Sequence, residues 1–203
     1  MGEPTLAARR VSRWLRGASA LLLVAGAPVL ASPLPAQDAG PCDSTKARAF
    51  DFWLGDWTIE QRILTADGRW RAFPARTSVS RAAGGCALVE RWEGTVQFFW
   101  EGMTRPEKLS ALSVRAYDPA ANEWRIHWMD SRSPRFGPPY VGGFTDGVGE
   151  FFSSRQTPDG PRRSRITFSE ITADSVHWDL AVSSDDGRTW TRIWIMEMRR
   201  SRE

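Results

Sequence analysis

Histidine is nearly absent from this chain: His127 and His177 are the only two in 203 residues. That scarcity leaves little material for a Ser-His-Asp arrangement, a haem ligand or a histidine-built metal site. Cysteine is equally sparse, with Cys42 and Cys86 alone, and the nearest histidine in sequence to either is His127. A metal-binding or catalytic role for the thiols therefore has no local support. No Gly-x-Ser-x-Gly elbow, His-Glu-x-x-His pair or phosphate loop occurs. The longest apolar run, Ala18 to Ala31, falls well short of the roughly 20 residues that a membrane-spanning helix needs. Past residue 50 there is no stretch of helical period.

That apolar run follows Arg9, Arg10, Arg13 and Arg16 and leads into small residues and prolines up to Gln37. A basic start, a short apolar middle and a small-residue exit describe a secretory signal peptide, taken as residues 1–36 with cleavage after Ala36; Ala31 is the alternative. The Arg9-Arg10 pair hints at twin-arginine export, although the residues after it fit that signal poorly. Cys42 follows Ala39-Gly40-Pro41, a poor lipidation site, so release is expected and a membrane anchor is not. The leader also carries the chain's basic excess. Four arginines and Glu3 go with it, leaving 23 of the 27 basic and 23 of the 24 acidic residues. A mature chain near zero net charge, with no basic stripe, gives no footing for nucleic-acid binding.

Both cysteines survive processing. In an oxidising compartment such a pair favours a disulfide, here between an N-terminal strap (residues 37–49) and the turn at Ala82–Cys86; two buried thiols are the alternative.

Residues 50–203 read as one all-β domain. Short alternating runs are separated by turn signals at residues 66–68, 84–85, 117–123, 145–147, 157–161, 172–175 and 184–187. Such spacing predicts about nine or ten strands in an antiparallel meander, closed as a barrel or sandwich. The segment "SSDDGRTW", Ser183 to Trp190, resembles the Asp-box of sialidase-type propellers. It occurs in full once, whereas a propeller needs several blades. Its expected role is a hairpin: Asp185, Asp186 and Gly187 make the turn and Trp190 folds onto it.

Gly55-x-Trp57 at the head of the first strand resembles the signature of calycin barrels: lipocalins, fatty-acid-binding proteins and nitrobindins. In those barrels the tryptophan plugs one end beneath an arginine from a late strand. Together, "FDFWLGDW" (50–57), "GGCALVERW" (84–92), "YDPAANEWRIHWMD" (117–130) and "SSDDGRTWT" (183–191) resemble the bacterial domain of unknown function 1579. The resemblance runs from about Phe50 to the end. It implies a calycin-like barrel and no activity, since that family is itself uncharacterised. The glycine-rich tail of the nitrobindin motif is missing after Trp57.

Strand alternation places an interior. Leu88, Glu90, Trp92, Val96 and Phe98 share an apolar face, as do Trp124, Ile126 and Trp128, and likewise Val176, Trp178, Leu180 and Val182. In the last strand Trp190, Arg192, Trp194, Met196 and Met198 fall together, and both histidines point outward. Glu90 and Arg192 are thus the two charges on otherwise apolar faces, and a buried charge needs a partner. They could pair inside the barrel, present a polar handle to a ligand, or form a structural pair at the rim; Arg192 could instead stack on Trp57 as the end-cap. Ten of the eleven tryptophans lie in this domain. A barrel of this size can hold a small ligand, and the expected binding set is Glu90, Trp92, Trp128, Trp178 and Arg192. Three functional readings stay open: an exported carrier or sensor of a small apolar or aromatic molecule, a solid-barrel protein-interaction module, and an enzyme working through Glu90. No catalytic residue, metal or cofactor is expected.

Overall fold

The computed structural model describes residue 40, residues 42–157 and residues 160–201; the expected signal peptide lies outside them. Ten strands follow one another: β1 (Gly55–Leu64), β2 (Trp70–Ala82), β3 (Ala87–Val96), β4 (Glu107–Asp118), β5 (Glu123–Asp130), β6 (Tyr140–Thr145), β7 (Val148–Thr157), β8 (Gly160–Ser169), β9 (Ser175–Ser183) and β10 (Thr191–Arg200). Each pairs antiparallel with its neighbours in the chain, and β1 pairs with β10, from Trp57↔Arg200 to Ile63↔Trp194. The meander is therefore a closed barrel, as the spacing of turn signals led us to expect. Closure gives every strand a partner on both sides, the shortest seam being β5 with β6 at Trp124–Ile126. Only single 3-10 turns supply helix among the described residues, and none of it is long and apolar enough to cross a membrane.

Alternation drives the strands. In β1, Trp57, Ile59, Gln61 and Ile63 are buried while Asp56, Thr58, Glu60 and Arg62 face water. The hairpin turns carry their own chemistry. At Ser183–Trp190 the Gly187 amide donates to Ser183 Oγ at 2.8 Å and the Thr189 hydroxyl to Asp185 Oδ2 at 2.6 Å. Those hydrogen bonds, with others from Thr189 and Ser183, hold the Asp185 carboxyl at about 2, below its ordinary value. Asp186 and Gly187 take positive φ there, so the segment works as a turn.

One end of the barrel is stoppered. The 3-10 turn Asp51–Trp53 tucks under the sheet and drives Phe50 against Trp124, Phe144 and Phe168, with ring centroids 4.9, 4.8 and 5.2 Å apart. Aromatic pairs of this kind contribute about 0.5–1.5 kcal/mol each beyond the area they bury. The strap is bound over this end in two ways. Cys42 and Cys86 form a disulfide, and the Trp124 indole donates to the Lys46 carbonyl at 3.0 Å.

The outer face holds one buried acid. Asp179 on β9 is 8% exposed, and loss of hydration pushes its carboxyl above the ordinary value despite Arg192, His177 and Arg165 nearby; Glu150 adds to the rise. A folded-state value above the unfolded one means that the contribution of Asp179 to stability is most favourable below pH 3.8 and falls as pH rises through the folded value. Asp179→Asn should therefore raise the melting temperature at pH 7, with the gain vanishing in acid. A loss of stability at pH 7 would show that the surrounding cations outweigh the dehydration.

Candidate functional site

Above the stopper the interior is open. A cavity of about 230 Å³ runs from Trp53 and Phe168 at its floor to Trp100, Arg155 and Arg162 at its mouth. A second hollow adjoins the mouth and shares those last three residues.

Four tryptophans from four strands form the wall: Trp92 (β3), Trp128 (β5), Trp178 (β9) and Trp194 (β10). Trp194 is their hub, with ring centroids 5.1 Å from Trp178, 5.9 Å from Trp92 and 6.3 Å from Trp128. Gln61 fixes it, accepting from the Trp194 indole at 2.6 Å while donating to the Thr95 carbonyl at 2.7 Å. Trp92 leans along its own strand over Gly94, where an added Cβ would come within 2.6 Å of the indole. Any larger residue at 94 would push the ring from its place.

At the floor lies a buried ion pair. Arg115 Nη2 donates to Glu90 Oε2 at 2.7 Å, both side chains being 4% exposed. The Thr77 hydroxyl donates to Glu90 Oε1 at 2.9 Å. The guanidinium rests on the stopper, 5.2 Å from the Trp53 ring and 5.4 Å from that of Phe50. Glu90 is thus satisfied at both oxygens, and Arg115 is not: its Nε and Nη1 are buried without a protein partner. The same holds for Trp92 Nε1, Trp53 Nε1 and Ser113 Oγ. All of these residues line the cavity, and the register sets Ser113 between Glu90 on β3 and Trp128 on β5. Native interiors rarely strand so many donors together. Nearer the mouth, burial pushes the Tyr140 hydroxyl above its ordinary value, with Ser164 hydrogen-bonding against the rise.

The structure gathers Glu90, Trp92, Trp128 and Trp178 around one space. It does not bring Arg192 there. A bulge between Arg192 and Trp194 inserts Ile193, so Trp194 faces inward while Arg192 is exposed on the outer face. Arg192 is accordingly neither the partner of Glu90 nor the cap of Trp57. The cap is Arg200, whose guanidinium carbon lies 4.3 Å from the Trp57 ring centroid. Its Nη1 donates to the Leu54 carbonyl at 2.6 Å and its Nη2 to that of Phe52 at 3.0 Å. Gly55, at φ +99°, makes room, since a Cβ there would lie 2.9 Å from Arg200 Nη1. Both histidines are on the outside, His177 beside Glu197 at 2.9 Å and His127 against Phe136.

No protein-family model and no curated protein matches the chain. Solved barrels do. Rv2717c from M. tuberculosis superposes with a TM-score of 0.51 at 14% identity, over 78% of this chain and 99% of that one. The likeness is one of fold. Weaker matches are the S-type phycobiliprotein lyase CPES from Guillardia theta (TM-score 0.41, 13% identity, 76% of this chain and 91% of that) and a de novo designed fluorescence-activating β-barrel (0.39, 16%, 76% and 97%). A likeness of fold carries no activity with it, and the chemistry of the site rests on its own residues.

Proposed function

We propose that this protein is an exported carrier or sensor that holds a small apolar or aromatic molecule inside its barrel. One observation carries the reading: a cavity of about 230 Å³, walled by Trp92, Trp128, Trp178 and Trp194, ends on buried polar groups that have no protein partner. Aromatic walls with a few fixed polar groups are the usual character of small-molecule sites. An engineered apolar cavity of about 150 Å³ holds benzene, so the space here suits a molecule of one or two rings. The adjoining hollow at the mouth offers room for a substituent.

Two observations weigh against the other readings. A solid interaction module has no use for an interior space of this size. An enzyme working through Glu90 would need a free carboxylate oxygen, and both oxygens are already engaged. Export is supported by the basic-apolar leader and by the Cys42–Cys86 disulfide, a bond that persists outside reducing compartments. The four segments that resemble domain of unknown function 1579 support placing the chain with that family.

The test is native mass spectrometry of the exported protein, set beside the same sample denatured. Extra mass that disappears on denaturation is the expected result and gives the ligand's mass. Bare protein, together with an unmoved tryptophan emission across a panel of one- and two-ring compounds, would favour the interaction module.

A further inference from the structure

The stranded donors say what the cargo must carry. Resting on the carrier reading above, we infer that the ligand bears an uncharged hydrogen-bond acceptor, a ketone, ester or amide carbonyl, which it places at the floor against Arg115.

First, the floor offers more unpaired N–H donors than acceptors: Arg115 and Trp92 only donate, and the Ser113 hydroxyl can do either. Arg115 Nε and Nη1, Trp92 Nε1 and Ser113 Oγ are all buried without a protein partner, in residues 4% exposed or less. These groups are already buried and unpaired in the barrel itself; a ligand of pure hydrocarbon leaves them so, whereas an acceptor relieves the cost of their lost hydration. Second, the floor is already electrically balanced. Arg115 gives its one short contact to Glu90, at 2.7 Å, and no other cation is among the groups that close that end of the cavity. A carboxylate would bring a second negative charge beside Glu90 with one guanidinium between them, at low dielectric. A carbonyl oxygen takes the free hydrogens and adds no charge. Third, the polarity is one-sided. The middle of the cavity is walled by Ile126, Ile166, Leu180, Met196 and the tryptophans. The molecule must therefore sit acceptor-down, with its rings among the indoles and its far end toward Arg155 and Arg162.

Three naphthalenes of nearly one shape separate the alternatives, with calorimetry at pH 8 reading affinity: acetylnaphthalene, ethylnaphthalene and naphthoate. The ketone should bind roughly tenfold or more tighter than the hydrocarbon, the effect of one hydrogen bond to a charged donor, and tighter than the carboxylate. In a Glu90→Gln/Arg115→Met double variant, checked for folding by its melting curve, the ketone's advantage over the hydrocarbon should collapse. Should that variant fail to fold, Trp92→Phe/Ser113→Ala, which leaves the ion pair intact, takes its place and should shrink the advantage several-fold. Equal binding of ketone and hydrocarbon overturns the acceptor, and so does an advantage that survives in the variant. Tighter binding of naphthoate overturns the neutrality. If none of the three binds, the carrier reading itself falls and this inference with it.

Discussion

Arg115→Met is expected to lower the stability of the barrel by about 3–5 kcal/mol, the cost of leaving one member of a buried ion pair unpaired. For a domain of this size that corresponds to a fall in melting temperature of the order of 10 °C. The mechanism lies in what remains. Glu90 would keep a hydroxyl from Thr77 and nothing else, in a layer closed below by Trp53 and Phe50. The guanidinium contributes packing too, since it covers those rings, and Met preserves most of that cover. Adding Glu90→Gln should restore much of the loss, because the uncompensated charge goes with it. The two curves together decide the matter. A small effect of Arg115→Met alone would mean that water reaches the carboxylate and that the floor is wetter than its burial suggests. A double variant as unstable as the single one would locate the loss in packing.

Removing the disulfide is expected to cost about as much. Cys42 and Cys86 are 44 residues apart, and in the chain-entropy model closing a loop of that length is worth about 4 kcal/mol. Cys42→Ser/Cys86→Ser, or reduction of the native protein, should therefore lower the melting temperature by an amount similar to Arg115→Met. The bond ties the strap to the turn between β2 and β3, so its loss should also release the strap. Limited proteolysis near Lys46 and Arg48 would register that release before any global unfolding. An unchanged melting temperature with a protected strap would show that noncovalent contacts, Trp124 to the Lys46 carbonyl and Lys46 Nζ to Asn122 among them, suffice to hold it.

Much of the interior was readable from residue types alone. The period-two pattern put Glu90, Trp92, Trp128 and Trp178 on inward faces because nothing interrupts the ladder around them. The same rule misplaced Arg192 and Trp190. A bulge shifts every residue on its far side to the opposite face, and Thr191-Arg192-Ile193-Trp194 carries no glycine or proline to announce one. Arg115 was missed for a different reason. Its face, Leu109-Ala111-Ser113-Arg115-Tyr117, mixes small, polar and apolar residues and does not read as buried until Glu90 supplies the partner. Its inward parity was nonetheless a usable signal. Gln61 was likewise masked, a lone amide between Ile59 and Ile63, and its role becomes clear only from Trp194 on the neighbouring strand β10, 133 residues away in sequence.

The pairing of β1 with β10 also sets an order of events. A chain released N-terminus first presents β1 early, but the partner that closes the barrel, and the Arg200 that covers Trp57, come last. Until then both outer edges of the growing sheet are unpaired, and the longest-range contacts in the molecule must wait for the final ten-residue strand. On the export proposed above, that delay would keep the chain openable during transit. The exposure is also its hazard: an intermediate stalled short of β10 has two adhesive edges and a bare aromatic lumen, the form in which it would aggregate.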